Sequence, residues 1–346
     1  MRTDGLLEGL DRGDTASLAR AISLVENQRS GFEEVLAHVH GRLGQSRTHR
    51  IGITGPPGAG KSTLTEQLAR QFRAAGLKVA VVAVDPTSPF SGGALLGDRI
   101  RMESVSLDPG VFIRSMATRG SLGGLATTTE EVSDVLAAFG FERILIETVG
   151  VGQTELDVAR TAETTVLVLV PESGDAIQTL KAGVMEIADI FVMNKSDRPG
   201  ADKLRREIEV MLGLRRGNAF RHVPAHHGAV SGKDRPTAGP PDRPSWEPPV
   251  FATVAVKGEG IVELVGALDR HHAFLEASGR LAERRRERLA ARTRAVVNRA
   301  LRQWIWEESS AESMLAQELD GMSAGRRTPY EVAAEIVDHL KTGATR

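Results

Sequence analysis

The chain has 346 residues, of which 41% are hydrophobic and 26% charged, and its formal net charge is -1. These values are ordinary for a soluble globular protein and provide no electrostatic argument for binding nucleic acid or an anionic membrane. The absence of cysteine excludes disulfides, thiolate catalysis and cysteine-ligated zinc. Because no secretory signal and no membrane-spanning apolar run is recognisable, we expect a cytoplasmic protein.

The N-terminal part of the chain has the pattern of amphipathic helices, since apolar residues recur at helical spacing in "SLARAISLVEN". A short buried strand is predicted next at 50–54, and a glycine-rich loop follows it directly. A helix is predicted to begin at Lys61 and to end at Gly76. We therefore predict a helical extension over 1–48 that precedes an α/β domain.

Strands and helices alternate in the middle of the chain. Nearly continuous apolar runs, typical of parallel strands that are buried on both faces, are predicted as strands at 78–85, 143–150, 164–170 and 188–195. Helical stretches such as "TTTEEVSDVLAAFG" lie between them. This alternation predicts the α/β class, with a doubly wound, mainly parallel sheet over 49–277.

Proline, glycine, arginine and histidine dominate residues 214–248, which we interpret as a long surface loop. A last strand is predicted after it, at 249–256. Histidines in the loop raise the alternative of a metal site, but no strand or helix is predicted to hold them in place. We therefore favour a solvated loop for this group of three: His222, His226 and His227.

Residues 278–346 are predicted to be helical and begin with an arginine-rich run that raises the alternative of RNA binding. Glutamates interleave with these arginines, and an apolar stripe at helical spacing suits a partner helix better than a nucleic acid. The stripe consists of Leu281, Leu289, Val296 and Leu301. We predict a C-terminal dimerisation arm, with Trp304 and Trp306 in its packing rather than in a cofactor stack.

The glycine-rich loop matches the pattern G-x-x-x-x-G-K-[ST] in the required strand–loop–helix context. Backbone N–H groups of such a loop converge on phosphates, helped by the positive N-terminus of the helix. The Lys61 ammonium is predicted to reach the β- and γ-phosphates, and the Ser62 hydroxyl to bind Mg²⁺. The predicted phosphate-binding residues are Gly55, Pro56, Pro57, Gly58, Ala59, Gly60, Lys61, Ser62 and Thr63.

Mg²⁺ also requires acidic ligands. Asp85 and Glu147 close predicted strands, and Asp98 lies in the glycine-rich stretch "GGALLGDRIRM". Glu147 opens "ETVG", in the place where GTPases usually carry D-x-x-G. The predicted metal site therefore combines Ser62 with these three carboxylates.

The sequence "NKSD" follows a buried strand and fits the N-K-x-D element that reads guanine. The Asp197 carboxylate can accept both the N1–H and the N2 amino group of guanine, whereas adenine has no such pair of donors and would leave the carboxylate unpaired. Asn194 is predicted to brace the phosphate loop and the O6/N7 edge of the base. The Lys195 stem is predicted to cover one face of the base.

A second base-binding element is partly matched by "VAVKGEG". The backbone N–H of Ala255 is predicted to bind the guanine O6, with Val254 and Val256 on either side of it. Val254 replaces the usual serine, but recognition is expected to survive because the donor belongs to the backbone. The predicted ligand is therefore GTP or GDP with Mg²⁺.

Several long segments together resemble the MeaB/ArgK GTPases, whose mitochondrial relative is the methylmalonic aciduria type A protein. They are "ARAISLVEN", "GPPGAGKST", "VDPTSPFSGGALLGDRIRM", "ETVGVGQTELDVA" and "SGDAIQTLKAGVMEIADIFVMNKSD". The resemblance implies a P-loop G domain and a homodimer held by the C-terminal arm. It implies a G-protein chaperone for an adenosylcobalamin-dependent acyl-CoA mutase, usually methylmalonyl-CoA mutase, with a cobalamin adenosyltransferase as a further partner. We predict no directly bound cobalamin.

The resemblance also implies three switch regions, at 85–101, 147–157 and 171–188, with Lys181 transmitting the nucleotide state. Intrinsic hydrolysis is expected to be slow, because Gly150 is followed by Val151, which cannot orient a water as glutamine does there in Ras-like proteins. Gln153 is the nearest glutamine and would serve only after rearrangement.

Two other functions stay open at this point. A metal-inserting GTPase of the nickel-chaperone type is disfavoured by the lack of cysteine. A kinase, as the ArgK naming suggests, would transfer phosphate from ATP, which "NKSD" disfavours.

Overall fold

The computed structural model describes residues 3–44, 46–86, 102–118, 124–148, 161–173, 182–215 and 244–343. The chain divides into two compact units, which comprise 1–288 and 289–346. No helix among the described residues is long and apolar enough to cross a membrane.

The first unit is built on a seven-stranded sheet in which every pairing is parallel, with the strand order β3-β2-β4-β1-β5-β6-β7. This confirms the predicted doubly wound α/β fold. The strands are β1 (His49–Thr54), β2 (Val79–Pro86), β3 (Val111–Thr118), β4 (Arg143–Thr148), β5 (Thr164–Leu169), β6 (Ile190–Asn194) and β7 (Val250–Thr253).

Strand β3 was not among the strands predicted from the sequence. It lies at the edge of the sheet, and its segment "VFIRSMAT" is only partly buried, with Arg114 and Ser115 in the middle. An edge strand need not be apolar on both faces, so it lacks the continuous apolar run that identified the other strands. The predicted strand at 249–256 is also shorter than expected, because a 3₁₀ turn, Ala255–Lys257, replaces its last part.

The described helices are α1 (Thr3–Asp11), α2 (Thr15–Glu26), α3 (Phe32–Leu43), α4 (Lys61–Ala74), α5 (Glu103–Ser106), α6 (Gly124–Phe139), α7 (Ala182–Ile187), α8 (Ala201–Arg215), α9 (Ile261–Ala277), α10 (Arg280–Gln303), α11 (Ala311–Ser323) and α12 (Pro329–Gly343). Helix α4 begins at Lys61 as predicted, and Gly76 just beyond its end has the left-handed φ of 81° that favours glycine. Most of the predicted loop, 216–243, lies outside the described residues.

Helices cover both faces of the sheet. On one face, α4 and α9 bury Leu64, Leu68 and Leu264 against strand residues such as Ile53. On the other face, the three N-terminal helices and α6 form a second apolar cluster, in which Leu18, Ile22 and Val25 are fully buried. The N-terminal helices therefore belong to the core of the first unit, and the glycine-rich loop lies at one end of the sheet.

The second unit has a small core of its own, with Ala311, Val332 and Ile336 buried between its helices. A single π-helical turn, Trp304–Glu308, follows α10. Both tryptophans of this turn are partly exposed, as are several apolar residues of α10: Leu289, Val297 and Leu301. Exposed apolar side chains at helical spacing are typical of a surface that another helix covers.

A cluster of buried polar side chains lies at the other end of the sheet from the glycine-rich loop, and His49 is fully buried within it. Burial lowers the pKa of His49 well below the usual 6.5, with further lowering by His272, Arg143 and His271, while Glu163 acts in the opposite direction. The folded state therefore keeps His49 neutral at a pH where the unfolded chain takes up a proton.

As the pH falls below about 6.5, His49 should thus reduce the free energy of unfolding by up to about 1.4 kcal/mol per pH unit. Urea unfolding at pH 7.5 and pH 5.5 checks this. Wild type should lose more stability over that interval than His49→Gln. In wild type the His49 ring Nε2 lies 2.7 Å from Thr164 Oγ1, and the glutamine amide can form a hydrogen bond to the same hydroxyl. His40→Gln, at an exposed position, is the control; equal losses in all three proteins would contradict the assignment.

Candidate nucleotide-binding site

The glycine-rich loop joins β1 to α4 at the carboxyl end of the sheet. Two of its positions require glycine, because the backbone there has a positive φ and lies close to neighbouring strands. Gly55 has a φ of 143°, and a Cβ there would lie 2.1 Å from the Val168 carbonyl oxygen. Gly60 has a φ of 86°, and a Cβ there would lie 2.4 Å from Asn194 Nδ2. The loop is therefore packed directly against the ends of β5 and β6.

Lys61 is buried at the start of α4, and its Nζ donates to the carbonyl oxygens of Gly55 (2.8 Å) and Pro56 (3.0 Å). The ammonium is thus held at the loop rather than extended into solvent. A cation in this position, next to a helix N-terminus and backbone N–H groups, is the arrangement that binds the phosphates of a nucleotide.

Two of the predicted metal ligands are in direct contact. The Ser62 hydroxyl donates to Glu147 Oε1 at 2.5 Å, and Glu147 is buried at the end of β4. A hydroxyl and a carboxylate are hard oxygen ligands of the kind that Mg²⁺ prefers, so this pair fits the metal. Asp85 lies at the same edge of the sheet, in the strand that pairs with β4.

Other predicted residues lie outside the described residues: Asp98, Gly150, Gln153, Lys181 and the three loop histidines. Their predicted roles stay predictions. The backbone of Asp85 is described as part of β2.

Replacing Ser62 with alanine should remove the hydroxyl ligand and leave the phosphate contacts of the loop in place. We therefore expect the Mg²⁺-dependent gain in GTP affinity to fall by about ten- to a hundredfold, since a lost hydrogen bond or ligand to a charged group is worth roughly 1.5–3 kcal/mol. Titration of GTP with Mg²⁺ and with EDTA measures the gain. A variant whose affinity responds to Mg²⁺ as wild type does would show that Ser62 is not a ligand.

Asn194 connects the glycine-rich loop to the second of the two predicted base-binding elements, and it belongs to the first. Its Nδ2 donates to the Ala59 carbonyl oxygen at 2.8 Å, and its Oδ1 accepts from the Thr253 hydroxyl at 3.2 Å and the Ala255 N–H at 3.0 Å. The side chain of Asn194 thus holds the glycine-rich loop at Ala59. The Ala255 N–H, predicted to bind guanine O6, is here donated to Asn194, so binding O6 requires that this N–H be shared or redirected.

The remaining residues that were predicted to bind the base differ in their surroundings. Lys195 adopts a left-handed φ of 56°, and its Nζ donates to the Gly58 carbonyl oxygen at 2.8 Å, so its stem crosses the loop. Asp197 is exposed, and its Oδ2 lies 3.6 Å from Lys257 Nζ. The flanking valines differ, because Val254 is buried whereas Val256 is exposed.

Two residues of the site were not anticipated. Thr253, which closes β7, supports Asn194, and Lys257 provides a cation for Asp197. In the sequence, Thr253 could be noticed only as a polar residue at the end of an apolar strand. Lys257 could be noticed only because it lies next to the two glycines of "VKGEG".

Comparison with known proteins identifies the family. The family model described as "Methylmalonyl Co-A mutase-associated GTPase MeaB" matches residues 18–310. A Pyrococcus abyssi protein named "Putative GTPase" is 49% identical over 295 residues, which cover 85% of this chain and 84% of that protein. The mouse "Methylmalonic aciduria type A homolog, mitochondrial" is 36% identical over 295 residues, which cover 82% of this chain and 66% of that protein.

A solved structure supports the same fold. The crystal structure of an "LAO/AO transport system kinase" aligns over 98% of this chain and 97% of its own, with a TM-score of 0.64 and 24% identity. That likeness concerns the fold alone. The resemblance seen in the sequence is confirmed by the family model and by the relatives: the chain belongs to the MeaB family of GTPases.

Proposed function

We propose that this GTPase acts in the cytoplasm as a chaperone of an adenosylcobalamin-dependent acyl-CoA mutase. The mutase that we propose first is methylmalonyl-CoA mutase. The proposal is supported by the family description, which names a mutase-associated GTPase, and by the mouse relative named for methylmalonic aciduria. GTP hydrolysis would time the delivery and protection of the mutase cofactor, with a cobalamin adenosyltransferase as a further partner. Direct contact with cobalamin is not part of the proposal.

The single observation that supports the proposed site is the position of Asn194. Its side chain is hydrogen-bonded both to the proposed phosphate loop and to the proposed base-binding element at Ala255. Lys61 would neutralise the β- and γ-phosphates, and Asp197 would accept the two guanine donors. Ser62 and Glu147 would hold Mg²⁺ together with Asp85 and Asp98. When bound, the metal would neutralise the charge that develops on the transferred phosphoryl group.

Slow intrinsic turnover is part of the proposal. Val151 stands where Ras-like proteins have the glutamine that orients the attacking water. A bound mutase would raise the rate by acting on the proposed switch regions 85–101 and 171–188. Lys181, in the second of these regions, would transmit the nucleotide state. By linkage, the GTP and GDP forms would then bind the mutase with different affinities.

We further propose that the protein is a homodimer joined through its C-terminal helices. The partly exposed apolar residues of α10 support this, because burying them against a second copy would remove them from water: Leu289, Val297 and Leu301. Sedimentation at micromolar concentration gives the oligomeric state directly.

The test of the chaperone function is phosphate release from GTP, measured with the protein alone and with each adenosylcobalamin-dependent acyl-CoA mutase of the host. We expect one mutase to raise the rate at least several-fold in wild type. Lys61→Ala, which lacks the phosphate-binding ammonium, should show no release in either condition. Equal wild-type rates with and without every such mutase would contradict the chaperone function and leave the GTPase without this client.

A further inference from the structure

Two nearly fully buried carboxylates lie at the end of the sheet that is opposite to the nucleotide site. Glu163 directly precedes β5 and Asp189 directly precedes β6. In a parallel sheet the strands all begin at one edge, so both carboxylates lie roughly 20 Å, the length of a six-residue strand, from the glycine-rich loop at the other edge. Neither residue belongs to the nucleotide site.

Three arginines from the start of α10 bind these carboxylates. Arg285 Nε donates to Glu163 Oε1 at 2.8 Å, Arg288 Nη2 lies 3.3 Å from the same oxygen, and Arg284 Nη2 lies 3.2 Å from Asp189 Oδ1. All three also donate to backbone carbonyl oxygens: Arg284 to that of Glu163 (2.7 Å), Arg288 to that of Thr161 (2.6 Å) and Arg285 to that of Thr48 (3.4 Å). We call these three arginines with Glu163 and Asp189 the arginine clasp.

The clasp is charged rather than neutral. Burial raises the pKa of Glu163, but His272 and the arginines, including Arg50, together outweigh it and hold that pKa well below the usual range. A buried ionic network of this kind is poorly explained by stability alone, because apolar residues of similar volume are often as stabilising. Its distinguishing property is that it joins one helix to two particular strands.

Those two strands carry the nucleotide site at their other ends. Gly55 packs against the carbonyl of Val168 in β5, and Asn194, which braces the loop and the base elements, is the last residue of β6. A small shift of β5 against β6 at the nucleotide end would therefore also move Glu163 relative to Asp189. Rigid elements of this kind transmit coupling between distant sites.

We propose that the arginine clasp couples the nucleotide state to α10, the helix that continues from the first unit into the second. The clasp residues are positioning residues, since they touch neither nucleotide nor metal. Coupling is reciprocal, so a change in the clasp must alter the ratio of the affinities for the GTP and GDP states. A purely structural role would weaken the binding of both nucleotides equally.

The test compares Kd values for GDP and for a non-hydrolysable GTP analogue in Arg285→Gln and in the control Arg286→Gln. Arg286 is exposed on the same helix and, within the described part of the chain, makes no salt bridge. Arg285→Gln leaves Glu163 with Arg288 and the Arg50 N–H, which should preserve the fold. We expect the ratio of the two Kd values to change at least about fivefold in Arg285→Gln and to stay at the wild-type value in Arg286→Gln.

An unchanged ratio in a folded Arg285→Gln would overturn the proposal. A second measurement uses wild type alone and does not depend on the variant: amide hydrogen exchange in 289–303, compared between the GDP form and the analogue form. Different exchange in the two forms supports the coupling, and identical exchange overturns it.

Discussion

Replacing Lys61 with alanine should reduce the affinity for GTP at least a hundredfold, about 3 kcal/mol. The physical reason is that the charge-assisted bonds of a buried ammonium to two phosphates are lost, while the phosphates are still removed from water. Isothermal titration with GTP and with GDP measures the effect, which should be larger for the triphosphate because the γ-phosphate loses its contact.

Lys203→Ala is the matched control, since this lysine is exposed on α8 and, among the described residues, forms a salt bridge only with Glu207 on the same helix. Its GTP affinity should remain that of wild type. A Lys61→Ala protein that binds GTP within threefold of wild type would show that the glycine-rich loop is not the phosphate site.

Replacing Asp197 with asparagine should change the base that the site prefers. The carboxylate accepts two donors from guanine, whereas an amide presents one donor and one acceptor and so matches xanthine, which has an oxygen in place of the N2 amino group. We expect GTP affinity to fall at least a hundredfold and xanthosine triphosphate to become the better ligand. Competition titration of the two nucleotides gives the ratio.

Asp202→Asn removes an exposed carboxylate at the start of α8 and should leave the preference for GTP unchanged. If Asp197→Asn also kept the wild-type preference, the base-reading role of "NKSD" would be wrong, and Lys257 would be no more than a surface partner of Asp197.

Those parts of the fold that depend on local pattern were predictable. The buried strands β1, β2, β4, β5 and β6 have continuous apolar runs, and the loop before α4 has a fixed spacing of glycine and lysine. Strand β3 was not predictable in this way. It lies at the edge of the sheet and is only partly buried, so it does not need a continuous run of apolar residues.

Contacts between residues far apart in the chain could not be predicted from one sequence. Thr253 supports Asn194 from a strand that begins well beyond a long loop, and nothing in "VFAT" indicates that contact. Likewise, the sequence pattern assigns the arginines of α10 only to a helical dimerisation arm. Their partners Glu163 and Asp189 are inconspicuous residues before strands, and only the fold brings them to the same place.

If this site reads guanine, titration of the wild-type protein with GDP and with ADP in the presence of Mg²⁺ shows it most directly. A carboxylate that must accept two donors, in a site braced by Asn194, should discriminate by about a thousandfold or more. We expect a Kd for ADP about a thousandfold or more higher than that for GDP. Binding of ADP within tenfold of GDP would contradict it.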